Sequence, residues 1–127
     1  MIELGESFGK TLKKGAVIAF DAPLGAGKTT FTKGIGRALQ INEIITSPTF
    51  TIISEYEGTL PFYHMDFYRI DDAEEIDLLG IDDFFYGNGI CVVEWYGVAE
   101  PHLPDTTVRI IITINEDSSR KLVIQEV

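Results

Sequence analysis

Gly25, Gly27, Lys28 and Thr29 stand in the run Leu24-Gly25-Ala26-Gly27-Lys28-Thr29-Thr30, a spacing suited to holding a polyphosphate. The two glycines let backbone N–H groups turn toward phosphate oxygens with no Cβ in the way. Lys28 is placed to reach the β- and γ-phosphates, and the Thr29 hydroxyl to bind Mg²⁺. A phosphate loop also needs a carboxylate at the end of a nearby strand. Glu94 ends the apolar run Ile90-Cys91-Val92-Val93 and is the expected direct or water-mediated metal partner. Asp66, two residues after His64, is expected to orient Thr29, a water or a switch segment. Ser47, Thr49 and Thr51, in Ser47-Pro48-Thr49-Phe50-Thr51, lie where a first switch would sit, with Pro48 stiffening the turn. An ordinary turn entering a strand fits that segment equally well.

Other residues carry less specific chemistry. His64 reads as a hydrogen-bonded structural residue rather than a base. Arg69 could stabilise phosphate charge, meet a partner or pair with the acids that follow. Trp95 and Tyr96 fit a place beside the nucleotide, a partner-facing patch or the core.

The elements that must position these groups can be read from periodicity and punctuation. Residues 5–14 predict a short helix stopped at Gly15, with Phe8 and Leu12 four apart. Ala16 to Asp21 is apolar enough for a strand covered on both faces. The loop follows it and opens a helix over 28–40, with Phe31, Ile35, Ala38 and Leu39 on its buried side. Phe50, Ile52 and Ile53 read as a strand reaching Tyr56, and Glu57-Gly58-Thr59 turns it back into Phe62 to Tyr68. Asp71 reads as an N-cap with Glu74 as its capping-box partner, and Gly80 as the end of that helix. Val108 to Ile114 and Lys121 to Val127 form a closing hairpin. The fold expected is α/β: a single P-loop NTPase-like domain over 1–127, with a mixed sheet that is parallel in its core and antiparallel toward the C-terminus.

Bulk properties narrow the class. The chain has 127 residues and a formal net charge of −10, with no basic stripe for nucleic acid. Seven acids fall in the thirteen residues 71–83, which disfavours direct contact with a phosphate backbone. Any RNA would be met only indirectly, through a protein partner. Neither a membrane-length apolar run nor a signal peptide is visible, and one cysteine, Cys91, leaves no intrachain disulfide, so the cytoplasm is the expected compartment.

Taken in order, Leu24 to Phe31, Ser47 to Thr51, His64-Met65-Asp66-Phe67-Tyr68-Arg69 and Val93-Glu94-Trp95 resemble the motifs of the TsaE (YjeE) family, bacterial P-loop ATPases of tRNA threonylcarbamoyladenosine synthesis. The resemblance spans nearly the whole chain. It implies an ATP- and Mg²⁺-binding, weakly hydrolysing ATPase with Lys28, Asp66 and Glu94 at its chemical centre, and Mg²⁺ held by the positions of Thr29 and Glu94. It implies work with TsaD and TsaB, which transfer threonylcarbamoyl to the adenosine beside the anticodon of tRNAs reading codons that begin with A. The chain departs from the family pattern at Ala22-Pro23, where Gly-Asp is usual, and in a short N-terminal segment. No Asn/Thr-Lys-x-Asp guanine-reading motif occurs, which favours ATP. The competing readings are a small P-loop kinase acting on a small-molecule acceptor, and a nucleotide-dependent interaction module. Against the kinase stand the short chain and only four arginines, Arg37, Arg69, Arg109 and Arg120. Acidic residues 71–83 and the hairpin 57–69 are the expected partner-facing surfaces.

Overall fold

A computed structural model of the chain describes residues 1–23, 26–46, 48 and 52–125. Six strands form one sheet in the order β2-β3-β4-β1-β5-β6. They are β1 (Val17–Asp21), β2 (Ile53–Tyr56), β3 (Phe62–Asp66), β4 (Ile90–Glu94), β5 (Val108–Ile114) and β6 (Arg120–Gln125). The β3–β4, β4–β1 and β1–β5 pairs are parallel, whereas β2 and β6 add antiparallel edges. The mixed sheet with a parallel core and antiparallel C-terminal strands is the architecture the sequence predicts.

Helices cover both faces, which is why the central strands β1 and β4 are apolar up to the acids that end them. On one face α1 (Ile2–Gly9) and α2 (Lys28–Ala38) pack Phe8, Phe31 and Ile35 against Ile18, Phe20, Phe62 and Val92. On the other, α3 (Ala73–Leu78), α4 (Ile81–Phe85) and the 3-10 helix Tyr96–His102 pack Ile76, Ile81, Phe85 and Ala99 against Val17, Met65, Cys91 and Val93. Strand side chains alternate between these layers. Glu94 therefore shares its face with Ile90 and Val92, and His64 and Asp66 share theirs with Phe62. All three polar groups point to the layer that holds α2.

The α1–α2 seam is built on glycine. A Cβ on Gly34 would lie 2.6 Å from the Glu6 amide nitrogen and still closer to the Ile2 carbonyl oxygen; one on Gly5 would strike the Phe31 carbonyl. Gly5 and Gly9, four apart on α1, face Gly34 and Ala38, four apart on α2. Small residues at that spacing let two helix backbones touch.

Several boundaries differ from expectation. The first helix occupies Ile2–Gly9 rather than 5–14, because the Gly5–Gly9 stripe must lie along α2. The second ends at Ala38, two residues early, where Gln40 turns left-handed at φ 58°. Of the strand expected through Phe50, Ile52 and Ile53, Phe50 lies outside the described residues, and Ile52, at φ 66°, is outside the extended region, so β2 starts at Ile53. Asp72, not Asp71, caps α3: its carboxylate accepts the Glu74 N–H at 2.9 Å, in place of the reciprocal capping box. Gly80 ends that helix as expected, yet it also opens α4, which the sequence reading did not separate.

Candidate phosphate site

The site forms where β1, β3 and β4 end together, the edge at which open parallel sheets receive ligands. Gly27 caps α2 at φ 102°, a left-handed turn that a side chain would strain, and thereby aims the first turn of α2 at the strand ends. Upstream, the Pro23 carbonyl accepts the Ala26 N–H at 3.3 Å. Gly27, Lys28, Thr29, Thr30, Asp66, Glu94 and Trp95 line one cleft of about 360 Å³, with Arg120 from β6. Leu24 and Gly25 of the loop, and the switch candidates Ser47, Thr49 and Thr51, lie outside the described residues.

Lys28 and Glu94 meet at the cleft floor. The Lys28 Nζ lies 3.4 Å from Glu94 Oε1, with both side chains under a tenth exposed. The same ammonium stands 5.1 Å from the centroid of the Trp95 ring, whose face attracts cations. Trp95 leans on Tyr68, ring centroids 4.8 Å apart, and holds a left-handed backbone at φ 53°. That rare conformation turns the chain sharply after Glu94 and brings the indole over the loop lysine. Tyr96 instead packs against the core of the opposite face, with Arg109 over its ring at 5.2 Å.

Behind Glu94, His64 is fully buried, and its Nε2–H donates to Glu94 Oε2 at 2.5 Å. Burial pushes the Glu94 carboxyl up, but the His64 hydrogen bond and ring, followed by the Lys28 ammonium, outweigh it and hold Glu94 below the usual glutamate range. The group is an anion at neutral pH.

Asp66 is the register partner of Glu94 on the neighbouring parallel strand. Its Oδ1 accepts the Tyr68 N–H at 2.9 Å, and its own N–H donates to the Ile52 carbonyl at 2.8 Å. Ile52 in turn donates its N–H to the Pro48 carbonyl at 2.9 Å, so Asp66 is linked by backbone, through Ile52, to the one described residue of the switch candidate. Burial raises the Asp66 carboxyl above the ordinary aspartate range; the Tyr68 N–H pulls down, and the Glu94 charge pushes up again. The folded state thus binds this proton more tightly than the unfolded chain, so ionised Asp66 opposes folding. That cost grows as pH rises from the ordinary to the raised value and persists at neutral pH. Asp66→Asn keeps the acceptor for Tyr68 and should raise the melting temperature at pH 7.5, since it removes the charge that burial disfavours. The gain should shrink as pH falls through the range in which Asp66 takes up its proton. An unchanged or lower melting temperature at pH 7.5 contradicts this account.

The expected Lys28, Thr29, Asp66 and Glu94 are therefore brought together. Arg120 and the His64–Glu94 bond were not foreseen. The signal for His64 was its even spacing from Asp66, which places both on one strand face; Arg120 opens an exposed hairpin strand and carries no sequence mark. Arg69 lies on the exposed turn after β3 and is not among the cleft residues. The single cysteine, Cys91, is buried on the far face with its thiol pushed up to about 12 by burial, far from nucleophilic use. In the acidic segment, His102 reaches Asp77 at 3.1 Å and Asp82 at 3.0 Å, joining the 3-10 helix to α3 and α4. The other acids there face solvent.

The oxygen donors Thr29, Glu94 and Asp66 suit a hard cation such as Mg²⁺. Among the described residues no group of three or more His, Cys, Asp or Glu side chains is arranged to hold a metal without further ligands. No helix of the described residues is long and apolar enough to cross a membrane.

The family model described as "Threonylcarbamoyl adenosine biosynthesis protein TsaE" matches residues 1–122. The tRNA threonylcarbamoyladenosine biosynthesis protein TsaE of Bacillus subtilis is 49% identical over 111 residues, covering 87% of this chain and 69% of that protein. Its namesake in Treponema pallidum is 40% identical over 120 residues, covering 94% and 89%. The crystal structure of Bacillus subtilis YdiB matches 99% of this chain and 78% of its own, with a TM-score of 0.85 at 39% identity.

Proposed function

Since the chain belongs to the TsaE family, with a role in tRNA threonylcarbamoyladenosine biosynthesis, we propose that it serves there as an ATP-binding, weakly hydrolysing accessory ATPase. The observation that carries this reading is the Lys28–Glu94 pair at 3.4 Å, in a cleft shared with Gly27, Thr29 and Asp66.

A triphosphate entering the cleft competes with Glu94 for the Lys28 ammonium. The N–H groups at the start of α2 and the loop bind the phosphate oxygens, and Lys28 moves onto the β- and γ-phosphates. Thr29 and Glu94 would hold Mg²⁺, which neutralises charge on those phosphates. Asp66 orients the attacking water; its raised carboxyl makes it a stronger acceptor than an exposed aspartate. Giving up the Lys28–Glu94 pair consumes part of the binding energy, which lowers nucleotide affinity. The switch candidate Ser47 to Thr51 would sense the γ-phosphate and pass its state, through Ile52 and Asp66, to the surface.

The partners proposed are TsaD and TsaB, with tRNA met only through them. The chain would act in the cytoplasm as one domain over 1–127, resetting the transferase pair between turnovers and leaving the transfer itself to them. Two measurements test this. Glu94→Gln should bind ATP within a few-fold of wild type while losing about 100-fold or more in Mg²⁺-dependent hydrolysis. The wild-type chain should form an ATP-dependent complex with its cognate TsaD and TsaB and restore multiple-turnover tRNA modification. Full hydrolysis by Glu94→Gln, or no ATP-dependent complex, sinks the corresponding half of the proposal.

A further inference from the structure

His64 is fully buried in β3, an interior strand, and the Nε2 side of its ring reaches Glu94 Oε2 at 2.5 Å. Its Nδ1 has no hydrogen-bond partner among the described residues. A buried imidazole with one nitrogen unsatisfied is a poor structural element, since leaving a polar atom dry costs stability. Phe62, two residues earlier on the same face, shows what that layer otherwise contains. The ring's polar reach is directed at one atom, an oxygen of the carboxylate at the chemical centre.

Glu94 has two oxygens with different neighbours. Oε2 is fixed by a rigid ring on an adjacent strand, whereas Oε1 faces Lys28 and the cleft. An Nε2–H on Oε2 fixes the plane of the carboxylate and keeps Oε1 turned to the site. Lys28 is a flexible partner that a phosphate can draw away; His64, without a route to solvent, is not.

We infer that His64 is a positioning residue for Glu94, holding Oε2 so that Oε1 alone is exchanged between Lys28 and the ligands of the nucleotide site. The inference rests on the ATPase reading and deepens it. His64 touches no reacting atom; it acts through Glu94.

Two polar substitutions separate this role from mere packing. The side-chain nitrogen of glutamine lies as many bonds from Cβ as Nε2 of histidine, so His64→Gln can still donate to Oε2. The nitrogen of asparagine lies one bond nearer, at the Nδ1 position, and falls short of Glu94. Hydrolysis of Mg·ATP, affinity for metal-free ADP by calorimetry, and melting temperature would be measured for both. His64→Asn should lose about 10- to 100-fold in kcat with metal-free ADP affinity within about threefold of wild type, and His64→Gln should recover most of the rate. Three results overturn the proposal: His64→Asn at the wild-type rate, His64→Gln as slow as His64→Asn, or ADP affinity falling in step with kcat. Wild type measured alongside keeps the premise separate. A wild-type chain without Mg²⁺-dependent hydrolysis overturns the ATPase reading and this proposal together, whereas an active wild type with indistinguishable variants overturns only the latter.

Discussion

Lys28→Ala should reduce ATP affinity by more than about 100-fold, equivalent to at least roughly 2.7 kcal/mol, and calorimetry should register no binding at micromolar protein. Two contributions add to this. Charge-assisted hydrogen bonds from an ammonium to phosphate contribute about 1.5–3 kcal/mol. In addition, the variant presents phosphates with Glu94 and Asp66 side by side in register and no ammonium between them and the ligand. The same change should also weaken the fold. Glu94 stays buried with the His64 hydrogen bond but without a cation, and breaking a buried pair costs up to about 3–5 kcal/mol. The lower part of that range is expected, since the His64 donor remains. Glu94→Gln placed on top of Lys28→Ala should restore part of the lost melting temperature, because it removes the stranded charge. Binding of ATP by Lys28→Ala at wild-type affinity would remove the phosphate site from this loop.

The second large effect lies away from the cleft. Gly34→Ala inserts a Cβ 2.6 Å from the Glu6 amide nitrogen and against the Ile2 carbonyl oxygen. The obstacle is helix backbone, which cannot rotate aside as a side chain would, so α1 must move off α2. Alanine gains about 1 kcal/mol of helix propensity over glycine, while overpacking costs about 1–3 kcal/mol and more when backbone is displaced. The clash wins, with a net loss of about 2 kcal/mol, or on the order of 8 °C for a chain of this size. Gly97→Ala is the control: among the described residues no atom beyond its chain neighbours lies within 4 Å of its added Cβ, and its melting temperature should stay within about a degree or two of wild type. Equal melting temperatures for the two variants would show that the seam yields freely. Because Met1, the N-cap of α1, has its side chain within 3.3 Å of where a Cβ on Gly27 would be, a displaced α1 also loosens the loop and lowers nucleotide affinity.

What could be read in advance, and what could not, follows from the range of each interaction. Glu94 was legible because four apolar residues before a single acid mark an interior strand ending at a site, a local pattern. Lys28 and Thr29 were legible for the same reason. Asp66 could be named but not oriented, since its role depends on β3 lying beside β4 in register, a pairing between segments far apart in the chain. His64 was read as structural and hydrogen-bonded, and it is hydrogen-bonded, yet its partner lies thirty residues away across that same pairing. The α1 boundary failed because glycine counts against a helix in propensity, whereas Gly5 and Gly9 are required there by contact with α2. At Ile52 a β-branched residue that favours strands adopts a left-handed backbone, where two backbone hydrogen bonds, to Pro48 and from Asp66, override its preference.

Trp95 is the chain's only tryptophan, and its indole has both the Tyr68 ring and the Lys28 ammonium beside it. Nearby cations and proton donors govern how brightly an indole emits and at what wavelength. A phosphate that draws Lys28 off Glu94 should change the charge beside that ring. The proposed site would therefore carry its own optical gauge: occupancy and departure of a nucleotide should be readable in real time by intrinsic emission, with no label and with every side chain left native.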